Sequence, residues 1–308
     1  MKVRSKPKSG YHGGNQLQGE KKLAVIVDLK EAIAEHVHDG DQVALEGFTH
    51  LAPCASGHEI IRQGRRNLTL IRMTPDIVYD QMIGAGCASK LVFSWGGNPG
   101  VGSLHRFRDA VEKGWPRAIE IDEHEHAGMA ARYAAGASHL PFAVLRGYLA
   151  TDLAQHNPDT VRFIDCPFTG ERLAAVSAIR PDVAVVHAQK ADRRGNVMMW
   201  GLLGAQKEVV LAAKRAIVTV EEIVDDLNAP LNAAVLPSWV IDAVCEVKRG
   251  AFPSYAHGYY GRNNAYYKLW DGVSRDRATF ETWMERHVMG TRDFGEFLES
   301  LEQEGFHV

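Results

Sequence analysis

The sequence predicts an α/β fold: an open, mainly parallel sheet with helices on both faces. Three observations carry that expectation. Short, wholly apolar runs alternate with amphipathic runs of about ten residues, the pattern of doubly buried strands joined by crossover helices. Glycine, proline and asparagine punctuate the alternation. The chain has 308 residues, 45% hydrophobic and 24% charged, enough to bury a core without staples.

The elements follow in order. Asp28 caps a helix with Glu31 at the capping-box spacing, and Leu29, Ile33 and Val37 recur on one face. His38, Asp39, Gly40 and Asp41 end it with turn chemistry, and Val43, Ala44 and Leu45 form a buried strand. A helix over 56–64 leads to a strand over 68–71. A helix over 76–84, with Ile77 and Met82 inward, leads to a strand over 91–93. A helix over 103–114 has Ser103 as its N-cap and Leu104, Phe107 and Val111 on one side. A strand over 118–121 and an alanine-rich helix over 123–136 come next. Residues 151–180 contain Pro158 and Pro167, with Pro181 just beyond, and show no clean period; they read as loops and short strands over the sheet. Strands over 183–186 and 216–220 flank a helix over 206–214. Residues 250–270 scatter Phe252, Tyr255, Tyr259, Tyr260, Tyr266, Tyr267 and Trp270 among glycines and asparagines. Such a segment is either a contact between subunits or a loop packed on its own core, with equal claim. No period of about 20–50 residues is present, which excludes a solenoid. The organisation expected is a disordered tail over 1–20 and one large α/β domain over 21–308.

Composition narrows the function classes. Thirty-five basic residues face 38 acidic ones, a net charge of -3, which argues against a nucleic-acid footprint. No apolar run approaches about 18 residues, so no membrane span is expected. Cys54, Cys87, Cys166 and Cys245 are far apart and form no CxxC pair, so a zinc ribbon and a thioredoxin motif are excluded. Scattered thiols fit a reducing, cytoplasmic setting. Lys2, Arg4, Lys6 and Lys8 sit in a segment with almost nothing apolar. With no apolar core and no amphipathic stripe, it reads as a tail rather than a targeting peptide.

Two loops follow strands. The first is Glu46-Gly47-Phe48-Thr49-His50-Leu51-Ala52-Pro53, and the second Ser94-Trp95-Gly96-Gly97-Asn98-Pro99-Gly100-Val101-Gly102-Ser103. In parallel sheets ligands bind outside the carboxyl ends of strands. Glycine lets backbone approach a ligand closely, and a loop ending at a helix start favours negative charge. Neither the P-loop nor the GxGxxG order is present. One such loop would read as a tight turn; two at the ends of adjacent-looking strands favour an anion or oxyanion site.

At these residues a resemblance emerges. The stretch from Val43 to His50, the glycine loop with Leu104, His105 and Arg106, residues 182–196 and residues 220–224 resemble the α (A) subunits of family I CoA-transferases, the glutaconate type most of all, over about residues 24–298. The resemblance implies that CoA is a substrate, that no cofactor is permanently bound, and that the acyl thioester is attacked by a glutamate of a β (B) subunit. This chain contains no Glu-Asn-Gly or Glu-Ser-Gly, so no catalytic nucleophile is expected on it and the β subunit is its expected partner. Its share would be an oxyanion and acyl pocket at Gly47, Phe48 and Thr49. CoA or substrate would bind at Ser94, Gly96, Gly97, Asn98, Gly100, Val101, Gly102 and Ser103.

Other clusters are weaker. Asp122, Glu123, His124, Glu125 and His126 follow a strand, but the histidines stand at i, i+2 rather than the i, i+4 of HExxH, so no metal is expected. Glu123 is still placed to line a pocket. Some relatives of this fold hydrolyse CoA thioesters or open rings with an acidic α-chain residue, which leaves a CoA-thioester or ring-opening hydrolase as one alternative. A non-catalytic CoA-ester-binding subunit is another. His187, inside an apolar run, reads as a satisfied core histidine, and residues 192–196 as a tight turn. Arg72, Arg106, Arg146 and Arg180 could each pair the second carboxylate of a dicarboxylic acid.

Overall fold

The computed structural model describes residues 23–98 and 100–307; the tail expected over 1–20 lies outside them. Strand β1 (Val25–Ile26) and helix α1 (Leu29–His36) open the fold, and Asp28 caps α1 by accepting from Glu31 N at 2.7 Å. Three strand–helix units follow: β2 (Gln42–Glu46) and α2 (Cys54–Arg62), β3 (Leu68–Ile71) and α3 (Ile77–Gly84), β4 (Ala88–Phe93) and α4 (His105–Lys113). Then come β5 (Glu120–Glu123) and α5 (His126–Ala137). Strands β6 (Phe142–Leu145), β7 (Val161–Asp165) and β8 (Arg172–Ser177), with α6 (Leu153–His156), form a separate three-stranded antiparallel sheet. This is what residues 151–180 build. The chain then returns through β9 (Val183–Asp192), β10 (Val197–Met199), α7 (Gln206–Ala212), β11 (Arg215–Val224), β12 (Ala234–Leu236) and β13 (Ala243–Glu246). Helices α8 (Asn264–Val273), α9 (Arg277–Met284) and α10 (Phe294–Gln303) close it.

The main sheet runs β1-β13-β11-β9-β2-β3-β4-β5 with every neighbouring pair parallel, and β10 pairs antiparallel with β9 and β12. Alternation along each strand divides the core. Val43 and Leu45 face the layer of α1–α4 and α8–α10, whereas Ala44 faces that of α5 and α7. Helices therefore cover both faces, as the doubly apolar runs require.

Several boundaries differ from the sequence expectation. Strand β5 lies two residues later than expected because β4 sets its register, Lys90 to Glu120 and Phe93 to Glu123. The following helix starts at His126, so Asp122 and Glu123 belong to the strand. Strands β9 and β11 run ten residues each, past the apolar stretches, since each supplies the other's hydrogen bonds up to Asp192 and Val224. Residues 264–303 are largely helical, with Asn263, Asp276 and Asp293 accepting from Tyr266, Thr279 and Glu296 N–H groups. Phe252, Tyr266, Tyr267 and Trp270 are fully buried, so these aromatics complete the chain's own core. Trp270 meets Trp283 and Phe280 edge to face at 5.3 and 5.8 Å.

Ser103 is not the N-cap of α4; that position is Leu104, which has no capping side chain. The N–H groups of the second and third helical residues, Arg106 and Phe107, donate instead to Asp80 Oδ1 of α3 at 2.8 and 2.9 Å. Trp270 Nε1 donates to Asp80 Oδ2 at 3.0 Å. The cap is tertiary, which is why local spacing pointed elsewhere.

Burial pushes the Asp80 carboxyl up to about 7, against the pull of its N–H donors. An unfolded aspartate titrates near 3.9. Between those values the folded protein keeps a proton that the unfolded chain has lost. Stability is therefore full below about pH 4 and declines as pH rises toward about 7. Asp80→Asn removes this slope. Thermal melts from about pH 5 to about pH 8 are expected to move the difference in Tm steadily in favour of the variant. A pH-independent difference would refute the assignment.

Candidate functional site

Strand β2 leads on to β3, while its other neighbour β9 leads on to β11 in the opposite direction. The chain order reverses between β2 and β9, and in open parallel sheets the crevice at such a point takes ligands. Both glycine-containing loops leave the carboxyl edge of this sheet. They do not follow adjacent strands, as the sequence suggested, because β3 lies between β2 and β4. They are nevertheless joined. Met73, just after β3, donates its N–H to Glu46 Oε1 at 2.8 Å and accepts Ser94 Oγ on its carbonyl at 2.7 Å.

The first loop is strained and clamped. Thr49 and Leu51 hold positive φ, 57° and 55°, a conformation that costs about 1–3 kcal/mol at a non-glycine residue. Four contacts from distant residues impose it. His50 Nδ1 donates to Leu202 O at 2.7 Å, and His50 Nε2 accepts from His257 N at 3.0 Å. Leu51 N donates to Tyr255 O at 2.9 Å, and Ser254 Oγ to Thr49 O at 2.8 Å. Burial lowers the His50 pKa and keeps the ring neutral, as these bonds need. Gly47 has no alternative: a Cβ there would lie 2.5 Å from Leu51 O and 2.8 Å from Ala52 Cα. Among the described residues, the N–H groups of Phe48 and Thr49 have no acceptor.

Beneath the loop lies a buried ionic network. Arg72 is fully buried and grips Asp76 with two bonds of 2.8 and 2.9 Å, while its Nη2 also donates to Gly47 O. Burial pushes the Glu46 carboxyl up; Arg72, the Met73 and Gly47 N–H groups and the Tyr133 hydroxyl, 2.9 Å from Oε1, counter that. Glu46 is only 2% exposed. It is the residue nearest to a Glu-x-Gly nucleophile in sequence, and it faces inward with both oxygens engaged.

The second loop wraps an open pocket of about 690 Å³ lined by Gly96, Gly97, Asn98, Gly100, Val101, Gly102 and Ser103, with Trp95 and Phe107. Of the expected residues only Ser94 is off this lining, its hydroxyl turned to Met73 O. Gly102, at φ 79°, leaves room for Asp271, whose Oδ1 accepts from Ser103 N at 3.3 Å and contacts His105 Nε2 at 2.9 Å. Asn98 is 2% exposed, and neither amide atom has a partner among the described residues, an arrangement that costs about 1–3 kcal/mol unless a visiting group completes it. Beside this pocket a narrow crevice joins the two loops. Its walls are Thr49, Thr74, Asp76, Gly97, Arg262 and Tyr267. Sequence reasoning missed Arg262 and Tyr267, which lie far along the chain from the second loop and carry no local signature.

The remaining clusters are structural or peripheral. Glu123 is exposed at the end of β5, and its carbonyl accepts from Asn157 Nδ2 at 2.6 Å. His124 is buried, with Nδ1 2.9 Å from the Tyr148 hydroxyl. His187 is a satisfied core histidine, 2.8 Å from both Glu221 Oε1 and Thr219 Oγ1. Residues 192–196 make the β9–β10 turn, where Asp192 Oδ1 accepts from Arg194 and Asn196 N–H groups at 2.9 Å. Of the four arginines considered for a second carboxylate, Arg72 is consumed by Asp76 and Arg106 is buried against Asp109. Arg146 pairs with Glu171 at the surface, and Arg180 bonds Leu140 O. Among the described residues no group of His, Cys, Asp or Glu is arranged for a metal, and no helix is long and apolar enough to cross a membrane.

Comparison with known proteins adds four similarities. The Coenzyme A transferase family profile matches residues 26–247. The α (A) subunit of the 3-oxoadipate CoA-transferase of Pseudomonas knackmussii is 66% identical over 281 residues, 91% of this chain and 99% of its own length. The α (A) subunit of the glutaconate CoA-transferase of Acidaminococcus fermentans is 32% identical over 295 residues, 91% of this chain and 92% of its own. The crystal structure of glutaconate coenzyme A-transferase from that organism superposes with a TM-score of 0.83 at 31% identity, covering 90% of this chain and 92% of that one.

The ionic network predicts a stability signature. Arg72→Met leaves Asp76 and Glu46 buried without their cation and is expected to cost about 3–5 kcal/mol in urea unfolding. Adding Asp76→Leu to that variant should recover part of the loss, because the orphaned carboxylate is then gone. A double variant less stable than Arg72→Met alone would contradict the network.

Proposed function

The chain belongs to the coenzyme A transferase family, and from that premise we propose that it is the α subunit of a heteromeric CoA-transferase. Coenzyme A is a substrate, a β subunit is the partner, and the acids exchanged are carboxylic acids of the 3-oxo dicarboxylic class. The 66% identity to the α chain of a 3-oxoadipate CoA-transferase supports that class. The cytoplasm, where acyl-CoA substrates are made and used, is the proposed location.

In the proposed reaction the thioester carbonyl is attacked by a glutamate carboxylate of the β subunit. The C–S bond breaks, leaving a mixed anhydride and CoA thiolate. The thiolate attacks the glutamyl carbonyl and expels the first acid, giving a glutamyl thioester. The second acid then repeats both exchanges in reverse, so no net oxidation or hydrolysis occurs. Each tetrahedral intermediate carries an oxyanion. The Phe48 and Thr49 N–H groups are its donors from this chain. Gly97, Asn98, Gly100 and Gly102 shape the pocket for the CoA ester.

One observation carries this assignment: the end of β2 offers backbone donors without acceptors, beside a glutamate already engaged on both oxygens. The chain is built to stabilise an intermediate, not to attack. The purified chain alone should show no CoA exchange, and adding the β subunit should restore it. Gly47→Ala, which displaces the loop backbone, is expected to lower kcat of the assembled enzyme by about 10²–10³-fold with assembly intact. Turnover by the chain alone, with an acyl group trapped on one of its own residues, would refute the proposal.

A further inference from the structure

We infer that the outer face of the small β6–β8–β7 sheet is the surface on which the β subunit docks. The inference rests on the proposed heteromeric transferase, in which a glutamate of that subunit must reach the Phe48 and Thr49 N–H groups. Strand pairing sorts the side chains of this sheet into two faces. Ala143 and Leu145 of β6 stand opposite Val176 and Ala174 of β8, and Val161 of β7 also opposes Val176. They pack with Tyr148, Ala154 and, from α5, Ala131 into an apolar core of their own. The other face carries Phe142 and Val144 of β6, Leu173 and Ala175 of β8, and Ile164 of β7. It is left open: Phe142 and Val144 are 46% and 44% exposed, and the other three are half-buried. An antiparallel sheet with one solvated face alternates apolar and polar residues along its strands. Residues 142–145 and 173–176 are apolar throughout, as strands covered on both faces are. A contiguous apolar face of this kind marks a contact with another protein.

The position of the face selects its occupant. Helix α5 starts at the carboxyl edge of the main sheet, where the His126 ring meets Phe48 edge to face with centroids 6.5 Å apart. Strand β6 packs along α5 and returns to that edge, and Tyr148 N, just past its end, donates to Glu125 Oε1 at 2.8 Å. Leu149, next in the chain, is exposed. The apolar face thus ends beside the residues that touch the first loop. A partner that brings a carboxylate to Phe48 and Thr49 has to cross this edge, and the neighbouring face anchors it there. A second copy of this chain carries no such carboxylate. Arg162 stands in one row with Val144 and Ala175 and is exposed. The matching surface of the β subunit is therefore apolar with a carboxylate set in it, the usual mixture of a dry centre and a polar rim.

The test titrates the chain with its β subunit. Phe142→Asp and Val144→Asp each put a charge into the face and should raise the Kd by about 30-fold or more, while kcat at saturating β subunit stays level. Leu231→Asp, at an exposed leucine outside this sheet, should leave the Kd unchanged. Hydrogen exchange on the unsubstituted chain gives a readout that misfolding of a variant cannot distort: binding should slow exchange over residues 140–149. An unchanged Kd in both variants, or unchanged exchange over those residues, overturns the assignment. So does a dimer of the chain alone, seen by light scattering, that Phe142→Asp dissolves, because a second copy is then the occupant. A wild-type pair that binds through this face but transfers CoA to no carboxylic acid overturns the transferase reading and leaves the docking surface standing.

Discussion

A guanidinium with no access to solvent, that of Arg72, holds the functional edge of this protein together. It grips Asp76 at the start of α3 and donates to Gly47 O at the end of β2. Burial alone would pull its pKa down, but Asp76, Tyr79 and Glu46 hold it up and keep the cation. A charge so deep costs several kcal/mol unless it is paired, so the network is formed as a whole or not at all. Glu46 extends it through Tyr133 to the α5 face and through Met73 to the second loop. The two loops at the carboxyl edge of the sheet are thus fixed from below, by bonds within the chain. Such preorganisation is what the proposed oxyanion donors need in order to stabilise a developing charge without reorganising during the reaction.

Strain in the first loop has the same logic. Thr49 and Leu51 accept unfavourable backbone angles because His50, Ser254 and Tyr255 supply more bonds than a relaxed turn could make. Those partners come from residues 202 and 254–257, which cross over the edge of the sheet. The segment rich in aromatics and glycine is therefore no spare loop. Its buried rings anchor it in the core, and its backbone presses the loop into place.

Much of this was legible in the sequence, for identifiable reasons. Strands buried on both faces leave unbroken apolar runs, and Asp28 with Glu31 marks a helix start within four residues, so the element order through β4 could be read locally. The glycines at 96, 97, 100 and 102 marked the pocket because close backbone approach has few other solutions. What escaped was whatever depends on a distant residue. The cap of α4 comes from Asp80, the register of β5 from β4, and the full length of β9 and β11 from each other. Local cues exist for α8, α9 and α10, in the caps Asn263, Asp276 and Asp293, and only α8 overlaps the segment over 250–270 in which aromatics among glycines and asparagines obscure the period. Arg262 had no local cue at all. Of the arginines that the sequence offered for a second carboxylate, Arg72 and Arg106 proved to be paired with the buried carboxylates of Asp76 and Asp109.

The same distinction separates the role of this chain from that of its partner. Glu46 looks like an available nucleophile by neighbourhood, since a glycine follows it and a ligand crevice lies close. Its environment assigns it otherwise. A nucleophilic carboxylate needs a free lone pair and room for a carbonyl carbon to approach. Both Glu46 oxygens accept bonds from N–H or O–H groups, and 2% exposure leaves no such room. Freeing it would leave the Met73 N–H and the Tyr133 hydroxyl without this acceptor and break the link from the first loop towards the second. A residue fixed on both oxygens beneath the first loop serves to hold that loop in place and is poorly suited to attack. A chain of this design therefore calls for an attacking group from outside, which is the part the proposed reaction gives to the β subunit.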